Sequence, residues 1–471
     1  MDLLQLSRWQ FALTVMFHMT FPAITVGLSV LLSFLYGMHW KTGNPVYLQM
    51  FRFWRRIFAV GFAIGVVAGI VITFQMGLNW GVYAAKTGPI IGPIIAMEVV
   101  TAFFVEAGFI GILIYGENRV SQRTMFAATV MVAIGTILST TWILMANSWM
   151  QTPQGFANRH GRFEPTSWMH VIFNPSFMWR APHMLVAVLI SAGLFITGIG
   201  AYYLVKGRAR LFAKSTVSIG LGVVAVLIPL QLFLGDSVAG AVLPRQPGKA
   251  GAMEGNWDTP NTGYVIFAIP DMSGQRDTVK ISIPCLGSYI SKDLSCDTGI
   301  PGLSQLVPNK NDQPNMTPVF WGFRAMWYAS MVMFGIAFYA TILRFRRKLW
   351  TARRFHRFLR WMVPLGILAI LGGWVAAETG RQPFVVYGHL RTSAAVSHLA
   401  SGQVLFSVIG FITLYAVMLG LYIAYIVHAV RAGPERDDPD WVAPDPALDV
   451  RPPRPEPAPV PSAVPVMRGG R

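Results

Sequence analysis

Residues 94–115 read IIAMEVVTAFFVEAGFIGILIY, and only Glu98 and Glu106 among them carry an ordinarily charged side chain. As an α-helix the stretch would rise about 33 Å, enough to cross a hydrocarbon core of about 30 Å. A helix lying on a soluble core repeats polar residues along one face, and none repeat here. The stretch is therefore read as a membrane span holding two acids where ionised groups are costly.

Eight further apolar runs flank it, at about 10–36, 57–78, 125–147, 184–205, 215–234, 320–343, 361–378 and 401–430. The first is too long for a removable signal peptide and lacks a basic start and a small-residue cleavage site. The run at 361–378 is short and contains Gly366, Gly372 and Gly373, which predicts close helix contacts within a bundle. The expected fold class is all-α: a polytopic membrane bundle of about nine helices with a large extracytoplasmic loop. Composition agrees, because 54% of the 471 residues are hydrophobic and 13% are charged, whereas soluble domains run near a quarter charged. Two cysteines, Cys285 and Cys296, exclude a disulfide scaffold or a thiolate metal cluster.

The formal charge of +17 comes from 38 Lys and Arg against 21 Asp and Glu. Lys41, Arg52, Arg55 and Arg56 lie between the first two runs, Arg119 and Arg123 between the third and fourth, and Lys206, Arg208, Arg210 and Lys214 between the fifth and sixth. Arg344 to Arg360 supply eight more after the seventh, whereas the short connection near 79–93 has only Lys86. All four basic connections fall on one side. The positive-inside rule then puts the N-terminus outside and the C-terminus in the cytoplasm. This sorting assigns the charge to membrane topology, with lipid as the surroundings and no nucleic-acid partner. The organisation expected is helices one to six over 1–234, an outer loop over 235–319, helices seven to nine over 320–432, and a Pro-rich, disordered cytoplasmic tail over 433–471. Cys285 and Cys296 fall in the outer loop, where they can oxidise to a disulfide. A second outer segment covers about 148–182.

Few ligand-type or ionisable side chains lie within the runs: His18, Glu98, Glu106, His183, Arg324, Met326 and Glu378. With the N-terminus outside, His18, Glu98, His183 and Met326 come early on inward-running helices and Glu378 ends an outward-running one. One polar layer near the outer surface is expected, with Glu106 about 12 Å deeper than Glu98 and about 80° around the helix. Two His, one Met and several Glu without cysteine suit the axial positions of haem iron, a His/Met pair suiting an electron-transfer haem. The same acids also suit a haem-free ion-coupled transporter or channel, and both readings stay open on the residues alone.

At these residues the chain resembles subunit I of the cytochrome bd-type quinol oxidases, over about residues 1–430. The likeness is carried by LSRWQFALTVMFH around His18, FQMGLNW at 74–80, the Glu98/Glu106 pair, ILMANSWMQTP at 143–153, GFRAMW at 322–327 and GWVAAETGRQP at 373–383. It implies a quinol:O2 oxidoreductase in which electrons pass through haems to a site that makes water from O2. His183 and Met326 correspond to the axial ligands of a low-spin haem b, with Arg324 beside it. Glu378 corresponds to the ligand of a high-spin haem b and His18 to that of haem d, or of a third haem b. These last two assignments can be exchanged between members. Arg381, in the same Gly-Arg-Gln-Pro turn, is expected at the cofactor. Glu98 corresponds to an acid at the haem d site, as ligand or proton donor, and Glu106 and Ser139 to the proton route from the cytoplasm. Lys249 and Glu254 match a Lys-x-x-x-x-Glu pattern for quinol, in a loop of the short class that includes oxidases called cyanide-insensitive. The family often carries another acid before Gly-Trp in span eight, where this chain has Leu371 in ILGGW. A second membrane subunit, and a very small accessory one, are the partners the resemblance implies.

Overall fold

The computed structural model describes residues 2–242, 244–257, 263–290 and 301–434. The expected Cys285–Cys296 pairing and the tail beyond 434 rest on residues outside these. Helix α1 (Leu3–Thr20) is followed at once by α2 (Pro22–Thr42), and together they form one forty-residue apolar span. Pro22 stands at the first position of α2, where its missing N–H costs nothing, so the break falls just after His18. Next come α3 (Pro45–Leu78), α4 (Gly81–Glu98) and α5 (Phe104–Tyr115), the last two joined by a π-helical turn over Val99–Phe103. Helix α6 (Gln122–Gln151) leads into the β1–β2 hairpin (Phe156–Arg159, Arg162–Pro165) and the single-turn α7 (Trp168–Ile172).

Helices α8 (Pro175–Lys206) and α9 (Arg210–Val242) pack along each other, and α9 runs eight residues past the expected boundary at 234. The connection then holds α10 (Pro247–Glu254), the antiparallel hairpin β3–β4 (Tyr264–Asp271, Arg276–Ile283), and the short α11 (Leu286–Ile290) and α12 (Leu303–Leu306). Helix α13 (Met316–Phe345), α14 (Arg353–Leu359), α15 (Leu365–Thr379), the small β5–β6 hairpin (Phe384–Val386, Leu390–Arg391) and α16 (Ser401–Ala432) complete the chain. Among the described residues, eight helices are long and apolar enough to cross a bilayer, counting α1–α2 and α4–α5 once each. The fifteen-residue α15 stands at the eighth expected span, 361–378. At about 22 Å it is short for the membrane core, and packing against α13 and α8 covers it instead.

Between apolar helices, lipid competes equally for apolar contact, so close backbone approach decides the packing. Gly27 of α2 lies against Ala192 of α8, Gly193 of α8 against Gly220 of α9, and Gly322 of α13 against Gly372 of α15. An aromatic core of Phe51, Trp54, Phe58, Tyr203 and Phe212 fills the end where the basic connections lie. There Arg52 and Arg55 of α3 both pair with Glu117, at 2.5 and 2.8 Å. The hairpins and α10 sit at the opposite, loop-bearing end. Helix α16 is mostly outward-facing, with Phe406 81% exposed.

Candidate functional site: an acid ladder along α6

Helix α6 is the common wall for all three intramembrane acids. Gly135 lies against the Glu106 side chain, so close that a Cβ there would stand 2.6 Å from Glu106 Cγ. One turn further, Ser139 Oγ donates to Glu98 Oε1 at 2.8 Å. Two turns beyond that, Asn147 Nδ2 and Gln151 Nε2 donate to Glu378 Oε1 at 2.9 and 3.1 Å. From residue 135 to residue 151 the helix rises about 24 Å. The acids therefore form a ladder stepping into the bilayer rather than the single layer expected from their positions within the apolar runs. The layer reading misplaced Glu98 because its helix starts at Gly81, thirteen residues before the apolar run begins.

The angle between Glu98 and Glu106 also differs from expectation. In an uninterrupted α-helix, eight residues put them about 80° apart. The π turn at Val99–Phe103 takes up about one residue, so the separation is equivalent to seven, about two full turns. Both acids accordingly face α6, at Ser139 and at Gly135.

Glu378 ends α15 inside a charged cluster. Its Oε2 meets Arg381 Nη2 at 2.5 Å. Lys249 of α10, 4% exposed, donates from Nζ to Gln151 Oε1 at 2.5 Å, and its stem lies on Gly380, where any Cβ would come within 2.6 Å of Lys249 Cγ. Burial, reinforced by Arg180, pushes the Lys249 amine well below its usual value, and Glu378 opposes this. Arg180 Nη1 and both Arg381 Nε and Nη1 are buried without a hydrogen-bond acceptor.

Glu254 belongs to a second cluster. Arg324 is fully buried on α13, donating from Nε to Val265 O at 2.9 Å and from Nη1 to Met253 O at 3.2 Å. Its Nη2 stands 3.7 Å from Glu254 Oε2, and the guanidinium lies over the Tyr264 ring at 4.5 Å. Tyr328, one turn on, donates its hydroxyl to Ile266 O. Arg324 thus pins both α10 and β3 to the helix that carries Met326. Lys249 and Glu254 are five residues apart, about 140° around α10, and they point into different clusters. Burial raises the Glu254 carboxyl above its usual value, and Arg324 opposes the shift.

The remaining candidate ligands stand where helices cross closely. His18 Nδ1 is 3.0 Å from Gly65 O and the ring lies on Gly69 of α3, leaving Nε2 for another partner. His183 Nε2 is 3.4 Å from Gln231 Nε2 on α9, and His183 Nδ1 is buried without a partner. Met326 Sδ lies against Gly373, where a Cβ would come within 2.7 Å. Among the described residues no three His, Cys, Asp or Glu side chains gather as a metal site. A haem would ask the protein for only one or two ligands. The unaccepted guanidinium N–H groups of Arg180 and Arg381 fit the carboxylates of such a group. Sequence reasoning missed Asn147 and Gln151, although both lie in the ILMANSWMQTP stretch. It also missed Arg180, a charge three residues before His183 at the start of an apolar run.

The fold and these side chains define a polytopic membrane protein with ligand-type and acidic groups inside its helical bundle. The family model for cytochrome bd terminal oxidase subunit I matches residues 6–434, and the chain belongs to that family. It is 32% identical to cytochrome bd-II ubiquinol oxidase subunit 1 of Escherichia coli K12, over 92% of this chain and 97% of the relative. It is also 32% identical to cytochrome bd ubiquinol oxidase subunit 1 of Bacillus subtilis 168, over 93% and 96%. A solved bd oxidase from Geobacillus thermodenitrificans shares the fold, with a TM-score of 0.84 at 24% identity, covering 92% of this chain and 99% of that one. The chain is therefore a haem-bearing, multi-pass subunit of a multi-subunit bacterial terminal oxidase. That sets aside the reading as a haem-free transporter or channel.

Proposed function

We propose that this chain oxidises quinol at its loop-bearing end and delivers the electrons to haems that reduce O2 to water. The observation that carries the reading is the ladder of Glu106, Glu98 and Glu378 along one helix, which joins the membrane interior to the cluster under α10. His183 and Met326 would hold a low-spin haem b, Glu378 a high-spin haem b, and His18 haem d or a third haem b. When bound, these groups supply the electron transfer and the oxygen chemistry.

The chain's own groups position and move protons. Glu106 carries a proton inward from the basic side and passes it to Glu98, whose Oε1 receives the Ser139 hydroxyl. Glu98 then serves as proton donor, or would help hold the haem that His18 would bind. Arg381 and Arg180 neutralise carboxylates around Glu378 and hold them in place. At the other cluster, the Glu254 carboxyl is placed to accept a proton from quinol, because burial keeps its affinity for protons high. Lys249, turned away, serves the Glu378 side.

Charge distribution supports an extracytoplasmic N-terminus and loop and a cytoplasmic C-terminus. Taking protons from one side and releasing them on the other then generates proton motive force without a pump. The outward apolar faces, α16 above all, suit lipid and a second membrane subunit, with room for a very small accessory one. The test is oxygen uptake by the purified complex supplied with a reduced quinol. Quinol-driven uptake that collapses in Glu378→Gln supports the reading, whereas uptake indifferent to Glu378 contradicts it.

A further inference from the structure

We infer that Gln151 is a positioning residue that ties the seating of loop helix α10 to the orientation of the Glu378 carboxylate. The inference rests on the reading of Glu378 as a haem ligand and goes beyond it. Gln151 is the last residue of α6, where backbone carbonyls lack helical partners. Gln246, just before α10, supplies one, donating from Nε2 to Gln151 O at 2.6 Å and to Gln151 Oε1 at 3.0 Å. Lys249 Nζ donates to the same Oε1.

The backbone O of Gln151 can only accept, so Gln246 must present its Nε2 there, and Gln151 must turn Oε1 toward that donor, which fixes the amide against flipping. Gln151 Nε2 is thereby committed to the other side, where it donates to Glu378 Oε1 at 3.1 Å and to Ala377 O at 3.4 Å. Gln151, Gln246 and Lys249 are 1%, 1% and 4% exposed, so water does not offer substitutes for these partners. One planar amide thus reads the loop with its oxygen and holds the acid with its nitrogen. Partners of this outer kind fix the orientation of a ligating carboxylate, and their loss commonly costs 10–100-fold in affinity or activity.

The decisive variant is Gln246→Leu, which removes two hydrogen bonds to Gln151 and leaves the Glu378 side chain and its own partners unchanged in sequence. In the purified, intact complex, redox difference spectra and potentiometric titration would be recorded for Gln246→Leu, Gln151→Leu, Gln151→Glu and Glu378→Gln. Expected are an altered band and midpoint potential of the Glu378 haem in both leucine variants. The low-spin haem should stay unchanged, and turnover should fall about tenfold or more in Gln151→Leu. Combining the two should add nothing beyond Gln151→Leu alone. Gln151→Glu, which keeps an acceptor for Lys249 but loses the donor to Glu378, should disturb the haem while the loop stays as protease-resistant as the parent. If Glu378→Gln alters a haem band and Gln246→Leu and Gln151→Leu do not, the relay is overturned and the ligand assignment survives. If Glu378→Gln alters no band, the ligand assignment itself falls, and the relay with it.

Discussion

Replacing Gly135 by alanine tests the ladder at its tightest point without touching an acid. A Cβ built on Gly135 lies 2.6 Å from Glu106 Cγ, 3.4 Å from Ala102 O and 3.5 Å from Glu106 N. Carbon atoms pack comfortably at about 3.5–4.0 Å, so Glu106 Cγ has to move about 1 Å. It cannot do so by flexing its far end, because Cγ is two bonds from the backbone and the π turn's own atoms flank it. Overpacking costs about 1–3 kcal/mol, and alanine in a helix returns up to about 1 kcal/mol over glycine. The net loss, about 0–2 kcal/mol, leaves the bundle folded. The consequence is functional, since a misplacement of about 1 Å can cost about a hundredfold in rate. Gly135→Ala should therefore keep its haem spectrum and lose about 10- to 100-fold in quinol-driven oxygen uptake, measured at equal haem content. A variant that turns over at the parental rate would refute the assignment of Glu106 to the proton route.

Arg324→Met removes two hydrogen bonds from a charged donor, each worth about 1.5–3 kcal/mol. It should free α10 and β3 to proteolysis and raise the quinol KM at least tenfold, with Arg324→Lys intermediate because it lacks the planar fork. Ser139→Ala withdraws a 2.8 Å bond from Glu98 and should slow turnover about tenfold, consistent with about 1.5 kcal/mol, with unchanged quinol KM. Because the seated loop raises the Glu254 carboxyl above its ordinary 4.5, the seated form binds that proton more tightly than the released form. Seating therefore weakens as pH climbs from 4.5 through the raised value. Hydrogen exchange over 247–257, corrected for intrinsic rates, should show this slope, and Glu254→Gln should abolish it.

The apolar runs were legible because a helix in lipid has to satisfy its own backbone groups and show lipid an apolar surface. Charge placement made the arrangement of the connections legible for a similar reason. The π turn left no such mark, since VVTAF is as apolar as its surroundings and the extra residue shows only in hydrogen bonding. Depth was misread for Glu98 because apolarity fades at Gly81–Pro93 while the helix does not, even through Pro89 and Pro93. Lys249 and Glu254 look like a pair in sequence, but a helix sends residues five apart to different sides. The break before Pro22 could have been read from Thr-Phe-Pro. The role of Arg324 as a loop clamp could not, because its partners are backbone carbonyls that any sequence would offer.

On the proposed function, His183, Met326, His18 and Glu378 would hold haems in this bundle. Reduced-minus-oxidised difference spectra of the purified complex test it directly, with Met326→Leu recorded beside the parent. Expected are bands of a low-spin haem b and of high-spin haem, with the low-spin band lost or shifted in Met326→Leu. An intact complex without haem absorbance, or a low-spin band untouched by Met326→Leu, would contradict it.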